Sequence, residues 1–183
     1  MTRFVTSDHH FRHGKIIEHC NREFENANEM DEKMTGIWNE TVSESDTVIH
    51  GGDIAFTNDQ SVAEECFEQL DGQKMLILGN HDDSIDPESF NYPTVEQVRI
   101  HNRGFRFWYT HRPESVPEYW TEWIIHGHVH NNEPFIDYDK HTINVSVDVT
   151  EYKPIPVPKI VDALKKMSNG ERAYTVEEAP VEF

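Results

Sequence analysis

The sequence is poor in basic residues, in cysteine and in long hydrophobic runs. Its 183 residues include 16 Lys and Arg against 34 Asp and Glu, which gives a formal net charge of -18. Proteins that bind nucleic acids or anionic membranes generally carry a basic surface that neutralises phosphate groups. The shortage of basic residues therefore argues against general nucleic-acid binding and against a membrane partner.

The low cysteine content excludes a scaffold held together by disulfides. Cys20 and Cys66 are the two cysteines, and each falls on the apolar face of a predicted helix. This usage is typical of a reducing compartment. No apolar run approaches the ~20 residues that span a bilayer. A strand candidate starts almost at Met1, so we expect no signal peptide and a cytoplasmic protein.

Histidine, in contrast, is abundant, with 12 residues in the chain. Surface histidine adds little to packing, so this enrichment suggests metal binding or proton transfer. The chain length suits one well-packed domain, and we expect residues 1–183 to form a single domain.

Hydrophobic periodicity predicts strands that alternate with helices and then a run of strands. Strands are predicted at 3–6, 47–50, 74–78, 95–101, 105–110, 123–125 and 142–149, and the segment 173–176 precedes an acidic end. Helices are predicted at 14–20, at 30–42 with Asn28 as a possible cap, at 61–70 behind a Ser61 and Glu64 capping box, and at 160–167. This order indicates a mixed α/β domain.

Polar side chains cluster where the predicted strands end. Carboxylate, imidazole and amide groups follow five of these strands, at Asp8, His10, Asp53, Asn80, His81, His111, His128 and His130. In open α/β sheets, ligands bind beyond the carboxyl ends of the strands. Asp8 and His10 lie two apart, and in an extended segment they would point the same way. Mixed Asp, His and Asn ligands suit Mn²⁺, Fe²⁺ or Zn²⁺ better than Ca²⁺.

The order of these motifs resembles that of the calcineurin-like metallophosphoesterases. The motifs are Asp8-x-His10, Gly52-Asp53, Gly79-Asn80-His81-Asp82, a lone His111 and Gly127-His128-x-His130. The opening Ser-Asp-x-His-Phe-x-His is similar to that of a small prokaryotic and phage branch of the superfamily. The resemblance implies a four-layer α/β/β/α sandwich of two mixed sheets flanked by helices, with a dimetal site at the strand ends.

The resemblance also implies a role for each matched residue. One metal would be held by Asp8, His10 and His130, and the second by Asn80, His111 and His128, with Asp53 bridging the two. His81 would be the catalytic histidine, near the substrate and not on a metal. The cofactors would be two divalent ions, with Mn²⁺ favoured and Fe, Zn or Ni as alternatives.

Several nearby residues receive weaker predictions. His13 and Arg22 are interpreted either as substrate-binding or as surface residues. His50 and His126 are expected to form hydrogen bonds inside the core, and either Asp82 or Asp83 is a candidate for orienting His81.

The implied activity is hydrolysis of phosphate esters by a metal-bridging hydroxide. Gly52-Asp53 continues as Ile54-Ala55-Phe56 and not as the Asp-Arg-Gly of the phosphoprotein phosphatases, so we expect phosphodiesters rather than phosphomonoesters. The substrate would be a small phosphate ester or a nucleotide; the oligomeric state is left open. The alternative is a non-catalytic metal-binding or protein-interaction module on the same fold, against which the presence of His81 argues.

The acidic composition leaves adaptation to high intracellular salt and an ordinary acidic protein as two explanations. If the first holds, the melting temperature should rise as KCl increases from about 0.15 M towards about 1 M, because the screening length falls from roughly 8 Å to roughly 3 Å. Thermal unfolding followed by circular dichroism measures this. A melting temperature that stays flat or falls would leave the ordinary acidic protein.

Overall fold

Residues 1–168 of the chain are described by a computed structural model. The segment 173–176 lies outside the described residues, as does the side chain of Met167. Four helices are formed by α1 (Gly14–Cys20), α2 (Ala27–Thr41), α3 (Gln60–Glu68) and α4 (Val157–Ser168). The strands are β1 (Arg3–Thr6), β2 (Thr47–His50), β3 (Gln73–Ile77), β4 (Thr94–Val95), β5 (Gln97–Asn102), β6 (Phe105–Thr110), β7 (Trp123–His126), β8 (Ile136–Asp137), β9 (Thr142–Asn144) and β10 (Ile155–Pro156).

The strands form two five-stranded mixed sheets. The first has the order β10-β1-β2-β3-β4, and the second has the order β5-β6-β7-β9-β8. In the first sheet β1 to β4 are parallel and β10 is antiparallel to β1. In the second, β6, β7 and β9 are parallel and the outer strands β5 and β8 are antiparallel. The predicted sandwich of mixed sheets with flanking helices is confirmed.

Alternation of side chains along the first sheet places apolar residues on both of its faces. Phe4 and Val48 belong to the cluster that contains the buried residues of α1, α2 and α3. Val5 and Ile49, one residue later in each strand, belong to the cluster shared with the second sheet and with α4. Both faces of the first sheet are therefore covered, which fits the near-continuous apolar character of its parallel strands.

The hairpin predicted around 102–104 is confirmed. Val95, predicted as the first residue of its first strand, belongs instead to the other sheet. β5 pairs with β6 from Gln97 to Thr110. Arg103 and Gly104 join them with positive φ angles of 47° and 91°, as expected for a type I′ turn. Val95, however, pairs with β3 in the first sheet. The short interval between β4 and β5 thus carries the chain from one sheet to the other.

Two helix caps and one strand differ from the prediction. Asn26, and not Asn28, accepts a hydrogen bond from the Glu29 N–H, and Asp59 replaces Ser61 as the cap of α3. A capping side chain must precede the free N–H groups of the first turn, and Asn28 and Ser61 already lie within their helices. The strand predicted at 142–149 ends at Asn144, because Val147–Val149 forms a 3-10 turn.

Candidate metal centre

The loops that follow β1 and β2 continue the pairing of these strands beyond the sheet. The Asp8 N–H donates to the Gly52 carbonyl at 3.0 Å, and the His10 N–H donates to the Asp53 carbonyl at 3.0 Å. One residue on, the N–H of Phe11 donates to a carbonyl of the same loop. The two loops are therefore fixed against each other, and Asp8, His10 and Asp53 share one edge of the first sheet.

The predicted extended conformation of the ligand segments is wrong. Five of the seven predicted ligands have left-handed backbone conformations, with φ angles between 49° and 72°, namely Asp8, His10, Asp53, His128 and His130. A residue other than glycine in this region costs on the order of 1 kcal/mol or more and persists where the surrounding structure imposes it. Backbone strain concentrated on ligand positions is typical of a functional site.

The first predicted metal site is formed by side chains that lie close together. Potential ligand atoms of Asp8, His10 and His130 all lie within 4.8 Å of one another. Neither ring nitrogen of the buried His10 has a hydrogen-bond partner in the described structure. Burial lowers the pKa of His10 far below its usual range, so the ring is neutral and offers a lone pair. Unpartnered nitrogens beside a buried carboxylate fit a metal cation.

Asp53 lies between the two predicted sites. Its Oδ2 atom is 3.4 Å from His10 Nε2 and 3.5 Å from His111 Nε2. Asp8, Asp53 and His111 also form a group whose potential ligand atoms lie within 4.8 Å of one another. One carboxylate therefore faces a histidine of each predicted ligand set.

The second site contains two acceptors that face each other. His111 Nδ1 is 2.8 Å from the Gly51 carbonyl, which requires a proton on this nitrogen. In the neutral ring, Nε2 then carries a lone pair, and it lies 3.0 Å from Asn80 Oδ1. A proton or a metal ion held between these two atoms satisfies both of them. The contact between His111 and Asn80 thus fits a metal ligand pair.

His128 lies beside the second site, and its backbone supports Asp8. The ring lies 5.1 Å from that of His111 between centroids, outside the group formed by Asp8, Asp53 and His111. Its backbone N–H donates to the Asp8 carboxylate at 3.0 Å. His128 therefore fixes Asp8 through its backbone, and its side chain is adjacent to the second site.

Asp148 is a residue of the site that the sequence analysis missed. Its Oδ2 atom is 2.7 Å from His130 Nδ1, which donates to it. Burial lowers the pKa of His130, but the hydrogen bonds to Asp148 and Cys20 and the charges of Asp8 and Asp148 together outweigh this effect, and the pKa rises to about 10. A carboxylate behind a metal-binding histidine fixes the ring and leaves Nε2 for the metal. The sequence analysis predicted a strand that continues to Val149, which would place Asp148 within a sheet. The chain instead forms a 3-10 turn at Val147–Val149, and this turn brings Asp148 to the site.

Arg22 has a structural position that does not support substrate binding. Its side chain is 0% exposed. The guanidinium donates to both Asp148 oxygens, to the carbonyls of Asp8 and His9, and to the Met30 sulfur. These contacts use all five of its N–H groups. Arg22 therefore fixes the loop that contains Asp8 and His9, and it has no N–H group left for a substrate.

Asp82 orients the backbone of two loops and not the ring of His81. Its carboxylate accepts hydrogen bonds from the N–H groups of Asp53, Ile54 and Gly79 at 2.7–3.1 Å. Burial and the neighbouring Asp53 raise the pKa of Asp82 to about 6. A Cβ atom on Gly79 would overlap the Asp53 backbone and carboxylate, so only glycine allows this approach. The loops after β2 and β3 are thereby joined.

Two buried histidines, His50 and His9, support the loop that follows β2. A position in the core was predicted for His50. His50 Nδ1 accepts from the Gly52 N–H at 3.2 Å, so its Nε2 carries the proton and donates to His9 Nδ1 at 2.9 Å. Burial lowers the pKa of His50 to about 3 and that of His9 well below its usual range. Both rings are neutral. His126, the other predicted core histidine, is buried with its Nδ1 donating to the Gly127 carbonyl.

His81 and His13 lie at the mouth of the site. The exposed His81 ring is 5.4 Å from the His10 ring, and its backbone N–H donates to Asp53 Oδ1 at 2.8 Å. His13 is half-buried, with its ring 5.3 Å from that of His10. Both therefore adjoin a predicted metal ligand while facing a side from which substrate can approach.

Residues 1–177 match the family model described as calcineurin-like phosphoesterase, and the chain belongs to this family. An uncharacterised protein of Methanocaldococcus jannaschii is 37% identical over 169 residues, which cover 89% of this chain and 91% of that protein. A protein of unknown function from Aquifex aeolicus has a similar structure, with 27% identity, a TM-score of 0.68, and coverage of 88% and 98% of the two chains. Family membership supports metal-dependent hydrolysis of phosphate esters as the general activity.

Within residues 1–168, no helix combines the length and the apolar character needed to cross a bilayer.

Asp148→Asn should weaken metal binding by about 10–100-fold, because the amide replaces a charged partner of His130. The exposed Asp139→Asn is a matched control that removes the same charge away from the site. Metal affinity is measured by titration calorimetry, and thermal melts exclude unfolding as the cause. Equal affinities of the two folded variants would contradict the proposed support of His130 by Asp148.

Proposed function

We propose that this protein is a phosphodiesterase that uses two divalent metal ions. Asp8, His10 and His130 would hold one ion, while Asn80, His111 and His128 would hold the other. The observation that carries this proposal is the position of Asp53, whose Oδ2 atom lies 3.4 Å and 3.5 Å from a histidine nitrogen of each set. A shared carboxylate of this kind is typical of sites that hold two ions about 3.5–4 Å apart.

The metal ions, when bound, would supply Lewis acidity that activates a water molecule and polarises the phosphoryl oxygens. The mixture of carboxylate, imidazole and amide ligands suits Mn²⁺, with Fe, Zn or Ni as alternatives. The chain itself prepares the site. Asp148 and the Gly51 carbonyl accept from the Nδ1 atoms of His130 and His111, so that both rings direct Nε2 towards the ion.

His81 is the group proposed to transfer a proton. Neither proposed ligand set includes it, and its ring is exposed while its backbone is anchored to Asp53. An imidazole in this position can donate a hydrogen bond to a phosphoryl oxygen and give a proton to the departing oxygen. The His13 ring also lies near His10, at 5.3 Å between centroids, and is proposed to contact the substrate.

The charges near the site support a diester rather than a monoester substrate. A monoester dianion needs more cationic partners than a diester monoanion does. Arg22 is buried and uses all its donors within the protein, and the exposed Arg12 and Arg112 lie 3.6 Å from Asp31 and Glu114. The residues directly after Gly52-Asp53 are Ile54, Ala55 and Phe56, with no arginine among them. A small phosphodiester or nucleotide is therefore the proposed substrate.

The remaining properties are proposed from the chain as a whole. Cys20 and Cys66 are buried and unpaired, which supports a cytoplasmic location. Because the family match extends over residues 1–177, we propose that the chain acts as one catalytic domain.

Asp53→Asn should lower the affinity for both metal ions, because the amide loses the charge that would serve both sites. We expect about two ions per chain in the wild type after loading with Mn²⁺ and fewer than one in the variant, measured by elemental analysis of the desalted protein. The exposed Asp83→Asn is the control and should retain both ions. A wild-type protein that saturates at one ion would refute the two-metal centre.

His81→Ala should reduce turnover by about 10²–10⁴-fold without loss of metal, as expected for a general acid. The loss should be smaller for nitrophenyl esters, whose leaving group needs little protonation, than for alkyl esters. His101→Ala removes an exposed histidine from β5 and is the matched control. Steady-state kinetics and elemental analysis are made on the same samples. Loss of a metal ion would make His81 a ligand, and unchanged turnover on every ester would favour the non-catalytic module.

A further inference from the structure

Four rings form a closed circuit at the mouth of the candidate metal centre. The ring centroids of His10 and His13 are 5.3 Å apart, and those of His13 and Phe56 are 4.0 Å apart. Phe56 lies 5.8 Å from His81, and His81 lies 5.4 Å from His10. His13, Phe56 and His81 are called the aromatic rim here. Three rings thus surround the approach to a buried metal ligand.

Phe56 contributes an exposed apolar face to this rim. Half of the residue is exposed, at 50%, whereas every other phenylalanine within residues 1–168 is buried or half-buried. A single exposed phenylalanine is common on protein surfaces, so exposure alone indicates nothing. The position of Phe56 is the informative feature. It comes three residues after Asp53, and the His13 ring lies between its ring and that of His10.

The Phe56 ring is held in place from two sides. Its backbone N–H donates to the Phe11 carbonyl at 2.9 Å, and the Phe11 N–H donates to the Ile54 carbonyl at 2.9 Å. The His13 ring stacks on Phe56 with an angle of 11° between the planes. Ordering this ring when a ligand binds therefore costs little conformational entropy, which favours its use as a binding surface.

The charges around the rim exclude recognition of a highly anionic ligand. Arg12, the neighbouring cation in sequence, lies with its Nη1 atom 3.6 Å from Asp31. The chain carries a formal net charge of -18, which repels polyanions such as long nucleic acids. The part of the substrate that lies beyond the phosphate must then be recognised by stacking and apolar contact rather than by ion pairs.

We propose that Phe56 stacks a nucleobase, and that the substrates are small nucleotide diesters with a single phosphate at the metal centre. This inference rests on the phosphodiesterase activity proposed above. Bases stack on aromatic side chains irrespective of their sequence identity, because each base presents a π face. The phosphate lies at the metals, the base lies on Phe56, and His81 lies between them on the rim.

Two diesters with the same leaving group and the same charge test this assignment. Thymidine 5′-(4-nitrophenyl) phosphate carries a base, whereas methyl 4-nitrophenyl phosphate does not. The ratio of their kcat/KM values should fall by about tenfold in Phe56→Leu, because base stacking on an aromatic ring typically contributes on this order. Phe56→Trp should keep the ratio. Tyr119→Ala removes an exposed aromatic ring elsewhere and is the control.

The outcomes separate the stacking role from the proposed activity. An unchanged ratio in Phe56→Leu, with both esters hydrolysed, would overturn the stacking role and leave the phosphodiesterase intact. If the wild type hydrolyses neither ester, the proposed activity fails, and binding decides the role of Phe56. In that case calorimetry on Mn²⁺-loaded protein compares thymidine 5′-monophosphate with methyl phosphate. Binding of the thymidine ligand that is about tenfold tighter, with the difference abolished in Phe56→Leu, supports stacking. Equal affinity for the two ligands overturns it.

Discussion

The buried ion pair between Arg22 and Asp148 is the interaction on which the ligand geometry depends. It joins residues 126 positions apart at 2.7 Å, and both side chains are almost fully excluded from solvent. Arg22 also donates to the carbonyls of Asp8 and His9, and Asp148 accepts from His130. Loss of one partner would leave a buried charge, at a cost of about 3–5 kcal/mol. One contact thus supports predicted ligands from both halves of the chain.

Hydrogen bonds between the loops maintain the left-handed backbone of the predicted ligand residues. Asp8 and Asp53 cannot relax to ordinary conformations, because their loops are bonded to each other and to Asp82. Free energy from packing and hydrogen bonding in the two sheets offsets this strain. Contacts within the protein therefore fix the predicted ligands, which would reduce the reorganisation that metal binding requires.

The strands and the ligand order could be predicted because both are local in sequence. Buried runs such as Thr47–His50 have a clear pattern, and polar residues directly after them mark the edge where ligands gather. Asp148 and Arg22 could not be assigned in this way. Their partners are distant in sequence, and only the packed structure brings the 3-10 turn at Val147–Val149 beneath His130. The caps were missed by two residues, an error within the usual spread of helix boundaries.

The candidate ligands come from both halves of the sandwich. Asp8, His10, Asp53 and Asn80 follow strands of the first sheet, whereas His111, His128 and His130 follow strands of the second. A metal ion bound to both sets is a cross-link between the sheets at the end where the hydrophobic core meets solvent. Such an ion would bind only the assembled sandwich, so the free energy of unfolding would increase with the concentration of free metal. The availability of metal in the cell would then determine how long the two sheets stay together, as well as how fast the protein works.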